Sequence, residues 1–415
     1  MTTIREQTLD CGMTLITERM SGVESVGVSW LLPAGIAREP GDRQGLGAIW
    51  SELLFRGAGP LDSRAQADAF DRVGANRSAR SGTMFMRLGS TALGARVPEL
   101  LPLIADMVRR PRMAPEAIEP SRDLALQALD SLADDPQERA AIAARLRHRP
   151  DPINRSGLGT REGLASITRE DLVDLWRAQA VPGGSILGLA GAVDHDAIAA
   201  QLDELLADWA GAIDELRTDT VGERGYAHEE DDSNQVQILV IHDAPGESHP
   251  DAVLERIVTG VLSGGMSGRL FTEVREKRGL CYAVSAGYAT APTYGAVSSY
   301  VGTTPERAQE SLDVLVEQLR RMHSPEGAVT REEFDRAVTG LTAKLVFSGE
   351  SSGARASAIA TDKHLVGRPR SLAERVEEIR GVTLERVNDY LSRRTLGTMT
   401  IQTLGPTPLT PPADA

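Results

Sequence analysis

Cysteine is scarce in this sequence. Its 415 residues include two cysteines, Cys11 and Cys281, which lie far apart along the chain. Domains that depend on a disulfide framework carry several closely spaced cysteines. We therefore expect no disulfide framework, and we expect both thiols to be reduced and partly buried as small apolar groups.

Long apolar runs are also missing. A membrane-spanning helix needs roughly 18 to 20 apolar residues in succession, and no run in this sequence approaches that length. The first twenty residues, MTTIREQTLDCGMTLITERM, mix acidic and basic side chains and lack the apolar stretch and cleavage site of a secretory signal. These absences predict a soluble, cytoplasmic protein with no membrane partner.

An excess of positive charge is absent too. The chain carries 45 lysines and arginines against 59 aspartates and glutamates, a formal net charge of −14 at pH 7. Proteins that bind nucleic acid usually show a basic excess or a basic stripe that follows the phosphates. The charge therefore predicts no nucleic-acid partner.

Histidine does not occur in the first third of the chain. The seven histidines are His148, His195, His228, His242, His249, His323 and His364. No histidine-based zinc site can form from residues that precede them. His228 is followed by four acids without helical ligand spacing, and we interpret this group as a solvated charge run. His242 and His249 flank a Pro-Gly turn, which predicts a place on a loop surface.

The length suits two domains of about 200 residues each, and the sequence contains an internal echo. The stretch Ser166–Gly191 recurs in outline as Gly381–Gly405. Each copy has a threonine, an amphipathic helical pattern, a turn with glycine, and a strand pattern that ends in glycine. Thr168 corresponds to Thr383, and the acids that follow each one favour a helix N-cap.

A second echo links Val97–Arg110 with Pro305–Arg321, two amphipathic segments that each end in paired arginines. Any two amphipathic helices resemble each other, so one echo alone leaves chance similarity open. In each echo, however, the two copies lie about 210 residues apart. The shared offset favours a duplicated domain.

Strand-like and helical segments alternate irregularly in both halves. TLITERM and SVGVSWLL open the first half, and VQILVIHDA opens the second; all three are rich in Val, Ile, Thr or Leu. This pattern predicts an α+β protein of two duplicated domains, each a largely antiparallel sheet packed against helices. We place the domains at residues 1–211 and 234–405, a charged linker at 212–233, and a disordered Pro-rich tail at 406–415.

One helix is predicted near residue 50 by its apolar spacing. Its buried stripe contains Leu46, Ile49, Trp50, Leu53 and Leu54. The stripe leaves Ala48, Ser51 and Glu52 together on the other face. On such a face the residues at i and i+4 could both bind one metal ion, while the residue at i+3 supplies a general base. Here alanine at the first position has no donor atom, and serine at i+3 is a poor base.

The run LFTEVREKRGLCYAV, Leu270–Val284, together with the preceding LSGGMSGR, resembles the C-terminal signature of the insulinase/pitrilysin-type (M16) zinc metallopeptidases. The resemblance covers nearly the whole chain, including TLDCGMTLITE and LFRG, and is closest to the short two-domain bacterial form. It implies that Arg275 and Tyr282 bind the substrate backbone, with the tyrosine hydroxyl near the developing oxyanion. The alternative interpretation, an ordinary charged helix face and a packed tyrosine, remains open from spacing alone.

The resemblance also identifies what is missing. These peptidases carry His-x-x-Glu-His, and the matching positions here are Ala48, Ser51 and Glu52. The family's third ligand is a glutamate before an Asp-x-Pro-like turn, and the match to SRDLALQALDSLADDPQER places Ala128 there. Ser121 stands at the position of an upstream supporting glutamate. The sequence therefore predicts no metal site.

The resemblance implies a non-catalytic subunit that keeps the Arg/Tyr pair and completes the active site of a zinc-bearing His-x-x-Glu-His partner, as a heterodimer. On this interpretation the chain binds peptide, holds no cofactor of its own, and is inactive alone. The alternative is a catalytically inactive structural or assembly protein on the same fold. An independent enzyme has little support, because no Ser-His-Asp or Cys-His constellation can be argued from the sequence.

Overall fold

The computed structural model describes residues 3–218 and 222–412. They form two compact units. Unit 1 contains residues 3–131, 151–218 and 348–371, and unit 2 contains residues 132–150, 222–347 and 372–412. Each unit therefore takes most of its residues from one half of the chain and one short segment from the other half, which differs from the predicted contiguous halves.

Thirteen strands and fourteen α-helices occur in the described residues. The strands are β1 (Thr3–Thr8), β2 (Thr14–Arg19), β3 (Ser25–Leu32), β4 (Gly57–Ala58), β5 (Leu61–Asp62), β6 (Asn76–Ser81), β7 (Met86–Leu93), β8 (Ile186–Gly191), β9 (Gly225–Glu230), β10 (Val236–Pro245), β11 (Cys281–Thr290), β12 (Tyr294–Thr303) and β13 (Thr400–Gly405). The helices are α1 (Leu46–Leu53), α2 (Ser63–Arg72), α3 (Val97–Arg109), α4 (Pro115–Asp130), α5 (Pro136–His148), α6 (Arg161–Ser166), α7 (Arg169–Gln179), α8 (His195–Leu205), α9 (Ala252–Ser263), α10 (Ala308–Arg321), α11 (Arg331–Gly349), α12 (Ser352–Val366), α13 (Leu372–Arg380) and α14 (Leu384–Arg393). A π-helix occupies Phe271–Glu276.

The two units contain equivalent sheets. Unit 1 has the strand order β1-β2-β8-β3-β7-β6, and unit 2 has β11-β12-β10-β13-β9. Without β1, the first order matches the second read backwards. In each sheet one pair is parallel, β2 with β8 and β9 with β13, and the other pairs are antiparallel. The predicted α+β class with largely antiparallel sheets is confirmed, and the common strand order supports the duplication.

The repeated helices lie where the sequence echoes predict them. Thr168 is the N-cap of α7, and its hydroxyl accepts a hydrogen bond from the Asp171 amide at 3.1 Å. Thr383 is the N-cap of α14, and its hydroxyl accepts from the Arg386 amide at 3.3 Å. The second echo corresponds to α3 and α10, which both bury an apolar stripe. Local sequence is therefore sufficient to start these helices at the same place in both copies.

One helix in each unit comes from the other half of the chain. Helix α12 packs on β2, β3 and β8 of unit 1, and α5 packs on β10 and β13 of unit 2. Glycines permit the approach of α12, because a Cβ added to Gly27 would lie 2.3 Å from the Gly353 amide and one added to Gly188 would lie 2.5 Å from the Ala356 carbonyl. Close approach of two backbones at glycines produces no periodic pattern in the sequence, so the position of α12 could not be predicted from it.

Two segments predicted to be irregular contain ordered structure. Strand β9, within the predicted linker, pairs in parallel with β13 along its whole length. In the predicted tail, the Leu409 amide donates to the Tyr226 hydroxyl at 2.6 Å, and the backbone of Thr410 exchanges two hydrogen bonds with Gln309. Residues 219–221 of the linker and 413–415 of the tail lie outside the described residues. Edge position explains why β9 lacks the apolar composition of an inner strand.

No helix in the described ranges combines the length and apolar character that crossing a bilayer requires.

Candidate functional site

Two local irregularities of unit 2 position Arg275 and Tyr282. Arg275 lies in the π-helix Phe271–Glu276, where the Lys277 amide donates to the Thr272 carbonyl, five residues back, at 2.9 Å. Tyr282 lies in a β-bulge, because Cys281 and Ala283 oppose successive residues of β12 and leave Tyr282 without a partner. The bulge turns the phenol outward, and 83% of Tyr282 is exposed.

The structure brings the predicted pair together. The guanidinium carbon of Arg275 lies 5.0 Å from the centre of the Tyr282 ring and 4.8 Å from the centre of the Phe271 ring. Both distances are within the range of cation–π attraction. Phe271 was not predicted as a site residue, although its position four residues before Arg275 in one helix was an available signal.

Arg275 differs from its cationic neighbours in having no acidic partner. Lys277 and Arg278 both pair with the Glu273 carboxylate, at 2.7 and 2.9 Å. No ion pair joins Arg275 to a carboxylate in the described parts of the chain. Two aromatic rings lie within cation–π distance of its guanidinium, and its N–H groups are not committed to any carboxylate that the structure describes.

Cys281 adjoins this pair but does not have the environment of a nucleophile. Burial raises the pKa of its thiol, and the Arg275 charge offsets only part of that effect. A reactive cysteine needs a lowered pKa. Both cysteines are free and partly buried, as the sequence predicts.

In unit 1, helix α1 has the predicted buried stripe. Leu46, Ile49, Trp50, Leu53 and Leu54 are all fully buried. The other face is half-buried and holds the positions that match the zinc motif. Ser51 donates its hydroxyl to the Gly47 carbonyl at 2.7 Å, and the Glu52 carboxylate lies 3.9 Å from the Arg56 guanidinium. Ala48 contributes no polar atom.

Helix α4 packs against α1 but supplies no ligand. Ala128 is exposed, and Ser121 is fully buried with its hydroxyl donating to the Ala117 carbonyl at 2.8 Å. Zinc in proteins is bound by sulfur, imidazole nitrogen or carboxylate oxygen, usually from three or four residues. Only Glu52 among the four matching positions has such a group, so the residues do not fit a zinc ion. Across the described ranges, no cluster of three His, Cys, Asp or Glu could hold a metal.

Glu39 holds the start of α1 and was missed by the sequence analysis. Its carboxylate accepts hydrogen bonds from the Gly45 and Gly47 amides, both at 2.7 Å. Burial raises the pKa of Glu39 to about 7, against the opposing effect of the two amides and of Arg155. The helix that carries the degenerate motif is therefore anchored by an acid that titrates near neutral pH.

The prediction that His242 lies on a loop surface is wrong. His242 is fully buried on β10, where Arg394 donates to its Nε2 atom at 3.1 Å. Arg394 also lies 3.2 Å from the Glu255 carboxylate, which accepts from the Tyr390 hydroxyl at 2.5 Å. Burial lowers the pKa of His242 to about 3, so the ring is neutral. The polar cluster is internal to unit 2 and serves its core.

The acidic run after His228 is also more ordered than a solvated charge run. His228 lies on β9 with its Nδ1 atom 2.9 Å from the Thr403 hydroxyl. Glu229 and Asp231 both pair with Arg139 of α5. These contacts fasten α5, the helix that unit 2 takes from the first half of the chain (hereafter an exchanged helix, like α12 in unit 1), to the sheet of unit 2. They do not form a metal site.

Comparisons with known proteins agree with this architecture. Residues 14–153 match the family model "Insulinase (Peptidase family M16)", and residues 166–341 match "Peptidase M16 inactive domain". The chain is 27% identical over 406 residues to an uncharacterized zinc protease of Mycobacterium tuberculosis. The aligned region covers 94% of this chain and 91% of that protein. It is 23% identical over 391 residues to one of Bacillus subtilis, covering 93% and 94%.

Solved structures show the same fold. A peptidase M16 inactive domain from Pseudomonas fluorescens superposes with a TM-score of 0.87 at 19% identity, over 99% of both chains. A protease from Helicobacter pylori gives 0.81 at 15% identity, over 98% of this chain and 100% of that one. Both parts of the sequence and the whole fold thus lead to one family, and the chain belongs to the insulinase-type (M16) peptidases.

Proposed function

We propose that this protein is a non-catalytic, zinc-less subunit of an M16-type metallopeptidase. It binds the peptide substrate and completes the active site of a zinc-bearing His-x-x-Glu-His partner in trans. One observation carries the proposal. Arg275 and Tyr282 are stacked together with an exposed phenol, whereas the positions that match the zinc motif hold no set of ligands.

The chemistry of the pair suits a substrate-binding role. A guanidinium has five N–H donors in a fixed plane and can bind peptide carbonyls in a bidentate manner. A phenol hydroxyl can donate to the oxygen that becomes negative when a peptide carbonyl is attacked, and such donors contribute most in a site from which water is excluded. The pair therefore provides binding and oxyanion stabilisation without providing a nucleophile or a base.

The sheet of unit 2 supports the binding of an extended peptide beside this pair. Strand β11, which begins next to Tyr282, is at the end of the sheet and pairs with β12 alone among the described strands. An extended peptide can add to such an edge through main-chain hydrogen bonds. An exposed edge strand of this length favours aggregation. Binding of a substrate or partner along β11 would cover the edge and prevent this.

The second candidate is a catalytically inactive structural or assembly protein on the same fold. It is favoured by the replacement of the zinc-motif positions by Ala48, Ser51, Glu52 and Ala128. On this hypothesis Arg275 and Tyr282 are inherited and have no role in turnover. The contact between Arg275 and Tyr282, with no acid of the described residues bound to Arg275, is the reason to prefer the first candidate.

Purification of the protein from its native cytoplasm, with mass spectrometry of what accompanies it and a metal assay of the complex, tests the proposal. We expect an M16-type subunit with an intact zinc motif at one-to-one stoichiometry and one zinc per heterodimer. Recovery of a metal-free homodimer, or of a large assembly without a peptidase, would favour the structural hypothesis. Recovery in a membrane or periplasmic fraction would contradict the cytoplasmic assignment.

A further inference from the structure

Phe271 is the residue of this site to which the sequence analysis assigns no role. The guanidinium carbon of Arg275 lies 4.8 Å from the centre of the Phe271 ring and 5.0 Å from the centre of the Tyr282 ring. The two aromatic residues belong to different elements, the π-helix and the bulge at the start of β11. We propose that Phe271 is a positioning residue, which fixes the Arg275 guanidinium by its cation–π contact and, through it, the exposed ring of Tyr282.

An arginine as exposed as Arg275, which is half-buried, is ordinarily held in place by an ion pair. Long cationic side chains lose considerable rotamer entropy when they are ordered. The same π-helix contains two acids, Glu273 and Glu276. Glu273 already accepts from both Lys277 and Arg278, and Glu276 forms no ion pair with Arg275 in the described part of the chain. Since no described carboxylate pairs with Arg275, the aromatic faces are its main restraint.

The three side chains of this contact differ in how far they are buried. Phe271 is half-buried in its helix, Arg275 is half-buried, and Tyr282 is mostly exposed. An exposed tyrosine ring at a strand bulge has few contacts of its own to fix its orientation. We therefore infer that Phe271 restrains the Arg275 side chain, and that Arg275 in turn restrains the orientation of the exposed Tyr282 ring.

The side-chain N–H groups of Arg275 make no hydrogen bond to the residues that the structure describes. A cation–π contact is an attraction between the charge and the ring and does not use an N–H donor. Fixation by rings therefore orders Arg275 without occupying the N–H groups that a peptide carbonyl would need. An ion pair would order the side chain equally well but would compete with the substrate.

The first test uses the isolated full-length protein labelled with ¹⁵N-arginine. Arg275→Lys identifies the Arg275 side-chain resonance by its loss. We expect that resonance to show a ring-current shift in the wild type, to lose much of it in Phe271→Leu, and to keep it in Phe271→Tyr, which retains the ring. Phe347→Leu is the control, because Phe347 is 70% exposed and no described arginine lies over its ring.

The second test is a double-mutant cycle in peptide hydrolysis by the complex with its zinc-bearing partner, and this part rests on the proposed function. Phe271→Leu is expected to lower kcat/KM about two- to five-fold, the scale of one cation–π contact. In an Arg275→Ala background it should have no further effect. Phe271→Tyr should restore the rate.

The outcomes separate the two proposals. An unshifted Arg275 resonance in the wild type, or one that Phe271→Leu leaves unchanged, overturns the positioning role. Losses of rate that multiply in the double variant also overturn it, because Phe271 would then act independently of Arg275. Failure to find a zinc-bearing partner would overturn the proposed function only, since the resonance test needs this chain alone.

Discussion

Glu18 and Arg355 form a buried ion pair although 337 residues separate them in the chain. Glu18 lies on β2 and Arg355 on the exchanged helix α12, with 2.7 Å between the carboxylate and the guanidinium. Their side chains are 1% and 3% exposed. Arg355 also donates to the Arg370 carbonyl at 3.1 Å. The pair fastens the exchanged helix to the sheet of unit 1.

Glu18→Gln should destabilise the protein strongly. Removal of one partner leaves the Arg355 charge buried without compensation, at a cost of roughly 3–5 kcal/mol. The free energy of unfolding from denaturant titration measures the effect. Glu6→Gln is the matched control, because Glu6 pairs with Lys363 of the same helix but both are partly exposed, and its expected cost is at most about 1 kcal/mol. Equal costs for the two variants would contradict this account.

Tyr282→Phe should lower turnover by the peptidase complex and leave folding unchanged. The exposed hydroxyl makes no contribution to the core, and loss of one oxyanion donor typically costs on the order of 10²-fold in kcat. The measurement is kcat with purified complex, accompanied by circular dichroism. Tyr294→Phe, which removes the hydroxyl of a more buried tyrosine on β12, serves as the control. Unchanged kcat in Tyr282→Phe would exclude the oxyanion role.

Arg275→Ala should weaken peptide hydrolysis by the complex much more than Arg278→Ala. Both side chains belong to the same short segment. Arg278 is paired with Glu273, whereas Arg275 contacts two aromatic rings and pairs with no carboxylate of the described residues. We expect a reduction of kcat/KM for Arg275→Ala of at least ten-fold, the scale of a lost charged hydrogen bond. Comparable losses in the two variants would indicate a general effect of surface charge.

Restoration of the zinc motif alone should not create an active enzyme. The triple variant Ala48→His, Ser51→Glu and Glu52→His supplies two imidazoles and a base, but Ala128 still provides no third ligand. Zinc content by elemental analysis and peptide cleavage by the isolated variant are the measurements. The quadruple variant with Ala128→Glu should bind zinc more tightly than the triple variant. Zinc-dependent cleavage by the triple variant would show that the third ligand lies elsewhere.

Glu39 should make stability depend on pH near neutrality. Folding raises the pKa of its carboxyl from about 4.5 to about 7, so between these values the folded state binds a proton that the unfolded state has lost. The contribution of Glu39 to stability is therefore fully present below its unfolded pKa and falls as pH rises toward 7, by up to about 1.4 kcal/mol per pH unit. Denaturant titrations from pH 5 to 8, compared with Glu39→Gln, measure the slope. An identical slope in the variant would contradict the assignment to Glu39.

The elements with strong local patterns were predictable. The stripe of α1 and the caps Thr168 and Thr383 each depend on residues within two turns of one helix, so the sequence contains the whole cause. Arg275 and Tyr282 were identifiable for a similar reason, since seven residues separate them. Whether the pair has a role in catalysis remains a prediction.

The features that escaped prediction depend on contacts distant in sequence. His242 is buried because Arg394 and the helices of unit 2 cover it, although its neighbours include a proline and a glycine. Strand β9 forms because β13, about 175 residues later, offers a parallel edge. The sequence pattern gives Phe271 only an apolar character, because its contact with Arg275 and the nearby Tyr282 ring depends on the π-helix and the bulge.

By itself, the sequence determined the fold class, the duplication and the replacement of the residues at the zinc-motif positions, because each follows from residue identity or from periodicity within one element. Only the tertiary structure decided that α5 and α12 exchange between the units. Their placement depends on glycines such as Gly27 and Gly188 that admit a helix backbone, and on charges such as Glu18 that meet a partner from the other half of the chain. A local pattern records which face of an element is apolar, but it does not record which segment will cover that face.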